Sequence, residues 1–304
     1  MSKDIVVVGS LAYDSVSTPS GKADKALGGS ANYFSVSASL LSPVKVVGVV
    51  GSDYSDQDMS ILKSRNVDTD GVQVVDGKTF HWEGKYEGDL NEAITLATEL
   101  NVFEDFKPNL PESYRSSDFL FLANIDPEIQ LDVLSQVQKP SLVACDTMNF
   151  WIETKRDKFV EVLNKVDVLL INETESTMLT KTANAIEAAE AICKMGPKAV
   201  VIKRGEYGFM LYCDNQFFVL PAFPIGKVVD PTGAGDTFAG GFMGYLASHD
   251  GELDETAFRK ACVHGTIMAS FTVQDFSLGS IASLERKAFD SRLKDYMGVV
   301  AIPQ

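Results

Sequence analysis

Residues 4–9, Asp-Ile-Val-Val-Val-Gly, form a continuous apolar run closed by glycine, and residues 44–51 read as a further strand. Apolar runs without alternation are the pattern of strands buried on both faces, as in a parallel sheet. Residues 10–18 alternate loosely, and the paired glycines Gly28 and Gly29 open a helical pattern that runs to about Leu41. Over residues 72–103 the pattern changes. Segments 72–75, 79–86 and 94–100 predict antiparallel strands joined by Gly- and Asp-rich turns. Further on, short apolar runs alternate again with helical periodicity. Strands are predicted over 118–123, 141–145, 166–171, 199–203, 209–211 and 217–220. Helices are predicted over 127–137, 151–164, 173–179, 183–195, from Gly233 to about Leu246, and 257–272. Such alternation implies an α/β fold around a mainly parallel central sheet flanked by helices, with right-handed crossovers. The antiparallel insertion suggests a small sheet standing off it.

Size and charge narrow the function classes. A chain of 304 residues buries a sizeable core, as one large α/β domain or as two smaller ones. Its net charge of −15 argues against a nucleic-acid backbone or an anionic membrane as partner. An anionic substrate is not excluded, because a local cradle and a metal ion can overrule the global field. No apolar run approaches membrane-spanning length, and Met-Ser-Lys-Asp followed by a strand is not a signal peptide. Cys145, Cys193, Cys213 and Cys262 are widely spaced and form no C-x-x-C pair, which reads as reduced thiols in a cytoplasmic protein.

The densest candidate chemistry lies in Val229-Asp-Pro-Thr-Gly-Ala-Gly-Asp-Thr-Phe-Ala-Gly-Gly-Phe242. Gly233 and Gly235, with Ala234 between them, let the backbone turn tightly, so that N–H groups of the first helical turn can face an anion. Asp236 sits inside that turn, where a carboxylate beside a phosphate can accept the proton of an attacking hydroxyl. The alternative is that Asp236 only caps the helix. Asp14 lies just past the carboxyl end of the first strand, the edge at which ligands of open α/β sheets gather. Asn32, after the paired glycines, offers a donor and an acceptor to a polyol. Asn124 and Asp126 follow one later strand, and Asp146, Thr147 and Asn149 another; of these Asn124 is the candidate substrate contact. Gly71 to Thr79 imitates a Walker loop, but five residues rather than four separate its glycines and 72–75 reads as a strand, so it is rejected. A dinucleotide-binding reading of Gly233 to Phe238 fails for want of a third glycine.

Asp230 to Phe238 fills every position of D-[TP]-[TV]-G-A-G-D-x-F, and in this the chain resembles the PfkB (ribokinase-like) carbohydrate and nucleoside kinases. Gly28-Gly29-Ser-Ala-Asn32, followed by the strand ending Gly51-Ser-Asp53, resembles the family's N-terminal signature, with a loop one residue shorter than the ribokinase form. Asn172-Glu-Thr-Glu175 resembles its N-x-x-E motif, and Gly205-Glu-Tyr-Gly208 its nucleotide loop.

The resemblance covers essentially the whole chain. It implies a single ribokinase-like domain over 1–304, with a small antiparallel lid made of about 11–18 and 72–103. The implied activity is ATP-dependent phosphorylation of a hydroxyl of a small sugar or sugar-like molecule. A nucleoside kinase and a catalytically silent ligand-binding relative are the alternatives. It makes Asp236 the base, Gly233, Ala234 and Gly235 the anion hole, and Asp14, Gly28, Gly29 and Asn32 the sugar contacts. Asn172, Lys203, Gly205, Gly208 and His264 fall to the nucleotide, and Glu175 to Mg²⁺ through water. Asp230 and Thr232 are candidate ligands of a monovalent cation, K⁺, although the turn 274–279 departs from the family's usual G-x-x-x-S ending. A homodimer through the lid is implied as well. His81 and Trp82 could touch substrate from the lid, against the alternative of exposed or inter-subunit packing.

Overall fold

The computed structural model describes residues 3–88 and 90–302. Met1, Ser2, Asp89, Pro303 and Gln304 lie outside the described residues, and with them the first half of the Met-Ser-Lys-Asp opening, one residue of the 72–103 segment and both edges of the expected 1–304 domain. The strands are β1 (Ile5–Val8), β2 (Ala12–Thr18), β3 (Gly21–Gly28), β4 (Val44–Gly51), β5 (Asp68–Val75), β6 (Phe80–Tyr86), β7 (Ala93–Glu99), β8 (Phe119–Leu122), β9 (Leu142–Cys145), β10 (Val168–Asn172), β11 (Ala199–Lys203), β12 (Phe209–Cys213) and β13 (Gln216–Leu220).

Nine of them form one sheet in the order β13-β12-β11-β10-β9-β8-β1-β4-β5. Pairing is parallel from β11 across to β5, and antiparallel only where β12 and β13 are added at one edge. From β1 the chain runs outward through β4 to β5, then returns to β8 on the other side of β1 and continues outward. Strand order therefore reverses between β1 and β8, the place where open α/β sheets bind ligands at their carboxyl ends.

Every residue of β1 is buried, and successive side chains feed different cores: Ile5 and Val7 one face, Val6 and Val8 the other. That two-sided burial is why the strand reads as a continuous apolar run. The first face is covered by the helices Ser30–Ala38, Ala234–Ser248 and Glu255–Thr272, whose crossings depend on small residues. A Cβ at Gly240 would stand 2.5 Å from Phe34 O, so only glycine admits the two helices this close.

The remaining strands build a second sheet in the order β3-β2-β6-β7. Here β2 pairs antiparallel with β3 and β6 antiparallel with β7, and the two hairpins join through parallel β2–β6 pairing. The expected small sheet therefore exists, with different boundaries. Residues 72–75 do not belong to it: they end β5, which lies parallel to β4 at the edge of the large sheet. Its fourth strand is instead β3, a polar segment with no periodic signature. The helix expected over 151–164 is two helices, Asn149–Thr154 and Arg156–Leu163. They break at Lys155 (φ −135, ψ 34), whose ammonium is drawn to Asp126 at 2.6 Å and to Glu128. The Walker imitation is no loop around a phosphate, since Gly71 lies within β5 and Thr79 is buried, holding the Gly51 amide at 3.0 Å.

Candidate active site

Gly233 stands at φ 73 as the N-cap of the helix Ala234–Ser248, a backbone conformation that favours glycine. A Cβ there would also meet the Tyr33 ring at 2.4 Å, so glycine is required twice over. Ala234 N–H donates to Pro231 O (3.1 Å), and Thr237 N–H opens the helical ladder to Gly233 O (2.8 Å). The first-turn amides without an acceptor in the helix thus narrow to those of Gly235 and Asp236, and the Asp236 amide bonds its own carboxylate. The N-cap Gly233 offers no side chain to this helix, and Asp236 is the acidic residue of its first turn.

Opposite Gly235 lies Lys203, at the end of β11. A Cβ on Gly235 would stand 3.1 Å from Lys203 Nζ, which places the ammonium over the first helical turn. Lys203 Nζ also donates to Asp146 Oδ2 at 2.7 Å. Burial alone would pull its pKa down, but the Asp146 and Glu175 carboxylates outweigh that and raise it, so it remains an ammonium. Asp236 responds to the same surroundings: burial first, then the Asp146 charge, push its pKa up to about 7, against the pull of Lys203. The turn therefore combines the Gly235 amide, a fixed cation and a carboxyl with its pKa near 7.

Asp14 approaches from β2. Its carboxylate lies against Gly28, where a Cβ would be 2.0 Å from Oδ2, and it accepts a hydrogen bond from the Gly29 amide. Burial, reinforced by Asp236 and Asp230, lifts its pKa to about 7. Reciprocal bonds between Ser10 and Ser30 fasten this strand end to the helix Ser30–Ala38 (Ser10 N–H to Ser30 Oγ 3.2 Å, Ser30 N–H to Ser10 Oγ 3.0 Å). Asn32 is fully buried and already engaged, with Nδ2 donating to Gly28 O at 2.6 Å and Oδ1 accepting from Tyr54 at 3.3 Å. It braces the glycine loop. By contrast, Asn124 Oδ1 at the end of β8 and Thr147 Oγ1 beyond β9 are buried atoms with no partner among the described residues.

Glu175 is buried and closes a capping box with Asn172: Asn172 N–H donates to Glu175 Oε2 (2.9 Å) and Glu175 N–H to Asn172 Oδ1 (2.8 Å). Burial and the nearby Asp146 raise its pKa, against Lys203. Asp230 is buried as well; its Oδ1 accepts from Thr232 N–H at 2.9 Å, while Oδ2 has no partner among the described residues. Thr232 Oγ1 donates to Tyr86 OH at 3.4 Å.

On the nucleotide side the two expectations part. Gly205 and Gly208, at φ 54 and 88, form the turn between β11 and β12 that sequence placed there. Arg204 in that turn pairs with Glu173 at 3.0 Å. His264 is enclosed by the rings of Tyr245 and Phe289 (centroids 4.2 and 5.5 Å), with Nδ1 against Lys260 O at 2.8 Å. Tyr245 is ten residues beyond Gly235 on its helix, about 15 Å along the axis. His264 thus packs between these two rings, well along the helix from the Asp236 turn.

The small sheet is fastened over the site at both tips. Thr18 and Ser20 donate to Val229 O (2.8 Å) and Val228 O (3.2 Å), just before Asp230. At the other tip Thr174 donates to Glu92 at 2.6 Å, and Asn91 lies against Gly205. His81 faces away from the Asp14 side of the sheet, pairing with Ser15 Oγ at 2.9 Å. Asp146, which sequence analysis set aside in favour of Asn124, and Tyr33 and Tyr86, which it did not mark as site residues, are further neighbours of the site. For Asp146 a signal existed, a carboxylate immediately after a strand end; for the two tyrosines none did.

Residues 2–284 match the pfkB family of carbohydrate kinases. The chain is 34% identical over 247 residues to the cytidine kinase of Thermococcus kodakarensis, covering 79% of this chain and 87% of that one. Its fold is similar to that of the nucleoside kinase of Methanocaldococcus jannaschii, an archaeal member of the ribokinase family, with a TM-score of 0.77 at 20% identity over 96% of this chain and 98% of that one. It is also similar to Arabidopsis thaliana ribokinase complexed with ribose and ATP, with a TM-score of 0.76 at 24% identity over 97% and 99% of the two chains. The two structures establish the ribokinase-like fold, and the family match runs through the motifs around Asp14, Glu175 and Asp236. The chain belongs to the pfkB family of carbohydrate kinases, as a phosphotransferase of the sugar and nucleoside kinase class.

Proposed function

We propose that the protein transfers the γ-phosphoryl group of ATP to a hydroxyl of a small sugar ring, free or carried in a nucleoside, with Asp236 as the base. The observation that carries this reading is the arrangement at one helical turn: the Gly235 amide, the Lys203 ammonium and a carboxyl with its pKa near 7. The acceptor oxygen bonds to the γ-phosphorus as the bond to the β,γ-bridging oxygen breaks. ADP leaves, and the hydroxyl proton passes to Asp236. A base titrating near the working pH holds the best compromise between being ionised and being basic. The Gly235 amide and Lys203 stabilise charge on the transferring oxygens. Asp14 accepts hydrogen bonds from ring hydroxyls, Gly28 and Gly29 give that carboxylate its place, and Asn124 supplies a further polar contact. Asn172 and the Gly205–Gly208 turn line the nucleotide side.

Mg²⁺, when bound with the nucleotide, neutralises triphosphate charge. The residues fit such an ion. Glu175 is a buried carboxyl crowded by Asp146, and one of its oxygens remains outside the capping box. Among the described residues no group of three or more His, Cys, Asp or Glu side chains forms a metal cage. This suits an ion that keeps most of its waters and meets Glu175 through one of them. Asp230 Oδ2, buried and unpartnered among the described residues, together with Thr232, is suited to a K⁺ counter-ion. The small sheet acts as a lid that excludes water. Ile94 and Leu96 on its edge strand β7, 45% and 53% exposed, support a homodimer through that edge; Leu96→Asp is expected to leave a monomer in sedimentation. Four free cysteines accord with a cytoplasmic enzyme. Among the described residues no helix is long and apolar enough to cross a membrane.

The test is ADP release with Mg²⁺ across a panel of sugars, sugar phosphates and nucleosides, with Asp236→Asn alongside. One acceptor with high, Asp236-dependent turnover is expected. Equal turnover by Asp236→Asn would remove the base from the scheme.

A further inference from the structure

We propose that the acceptor is a nucleoside rather than a free sugar, and that Trp82 is the platform on which its planar base stacks. This rests on the kinase reading above and narrows its substrate. Side chains alternate along β6, so Trp82, Gly84 and Tyr86 share one face of the small sheet. Two contacts identify that face as the one turned to the active site. Tyr86 OH accepts from Thr232 Oγ1 in the turn before the anion hole (3.4 Å). Trp82 is the register partner of Asp14 across β2–β6, so the two side chains emerge side by side from strands about 5 Å apart.

The indole is held in place at both ends. Its benzo edge covers Gly84, where a Cβ would lie 2.2 Å from the ring, and its Nε1 donates to Thr95 Oγ1 on β7 at 3.2 Å. Gly84 is the one position on this face of β6 without a side chain, and the indole lies across it. The ring's only donor is thereby satisfied within the lid, which leaves an aromatic surface with no polar demand of its own on the face of the sheet that also carries Asp14. The carboxylate turns to Gly28 on one side and the indole to Thr95 on the other, which leaves room between them for a ligand wider than a sugar ring. A free pentose gripped by Asp14 offers this surface nothing planar. A nucleoside gripped by the same carboxylate through its ribose carries an aromatic base on the adjoining carbon.

The chain has two tryptophans, so Trp151→Phe leaves Trp82 as the sole indole reporter; Trp151 packs edge-on against Phe150. In that variant cytidine and adenosine are titrated against D-ribose, and steady-state kinetics with the same acceptors follow for Trp82→Leu and Trp82→Phe. Nucleosides are expected to quench Trp82 emission saturably, and ribose is not. Trp82→Leu is expected to raise the nucleoside KM about 10- to 100-fold, the range of one base–aromatic stack, with the ATP KM unchanged and Trp82→Phe restoring most of the loss. Ribose phosphorylated as efficiently as either nucleoside, or an unchanged nucleoside KM in Trp82→Leu, would overturn the proposal. Quenching by nucleosides without phosphoryl transfer to any acceptor would instead uphold base stacking and overturn the kinase reading on which it rests.

Discussion

Replacing Asp236 by Asn should stabilise the nucleotide-free protein at alkaline pH while removing its turnover. The folded carboxyl has a pKa of about 7, raised from 3.8 first by burial and then by Asp146. It therefore binds its proton more tightly in the folded state than in the unfolded chain. The resulting destabilisation grows as pH rises from about 4 to about 7 and is complete above that. Three pH units correspond to about 4 kcal/mol at 1.36 kcal/mol each. Partial exposure of the carboxyl to the cleft screens this and reduces it to about 2 kcal/mol. For a chain of this size that is about 4 °C in Tm. The assay is thermal unfolding of both proteins at pH 5 and pH 8 without nucleotide or metal. The Asp236→Asn variant should melt higher than wild type at pH 8, with the gap closing towards pH 5. A lower melting temperature for the variant at pH 8 would refute the picture of a carboxylate held at a cost for chemistry.

Other consequences follow from the same geometry. The acid limb of kcat/KM should fall near pH 7, with a slope between one and two because Asp14 and Asp236 both titrate there; a flat profile down to pH 5 contradicts both assignments. Lys203→Met leaves Asp146 buried without its partner and should cost about 3–5 kcal/mol of stability. Adding Asp146→Asn should recover most of that in denaturant titration but not the turnover, and recovered turnover would place Lys203 off the phosphoryl path. Gly28→Ala forces a methyl to 2.0 Å from Asp14 Oδ2 and should raise the acceptor KM at least about tenfold in steady-state assays, with ATP affinity unchanged. Unchanged acceptor kinetics would show that Asp14 does not hold the sugar.

Much of this was legible in the sequence where one local pattern decides the outcome. β1 and β4 are buried on both faces, so their apolar runs could hardly be anything else. The Asp230–Phe238 stretch builds its turn from residues that are adjacent in the chain. Edge strands were harder to place. β5 has exposed Val74 and Val75 at its open end, as a lid strand would, and only its pairing with β4 assigns it to the large sheet. β3 contains Lys22, Asp24 and Lys25, poor strand formers, and is extended because β2 offers it a partner. Long-range partners were not legible at all. Lys203 and Asp146 are 57 residues apart, and Tyr33 meets Gly233 from another helix. Asn32 reads as a free amide in sequence, yet one of its N–H groups is given to Gly28 and its oxygen accepts from Tyr54.

The most direct test of the central claim is phosphorus NMR of the protein with Mg²⁺-ATP and each acceptor in turn. Phosphoryl transfer at the Asp236 turn predicts a new phosphomonoester signal on one acceptor, growing in step with ADP and absent with Asp236→Asn. ATP converted only to ADP and inorganic phosphate, at the same rate with every acceptor and none, would contradict it.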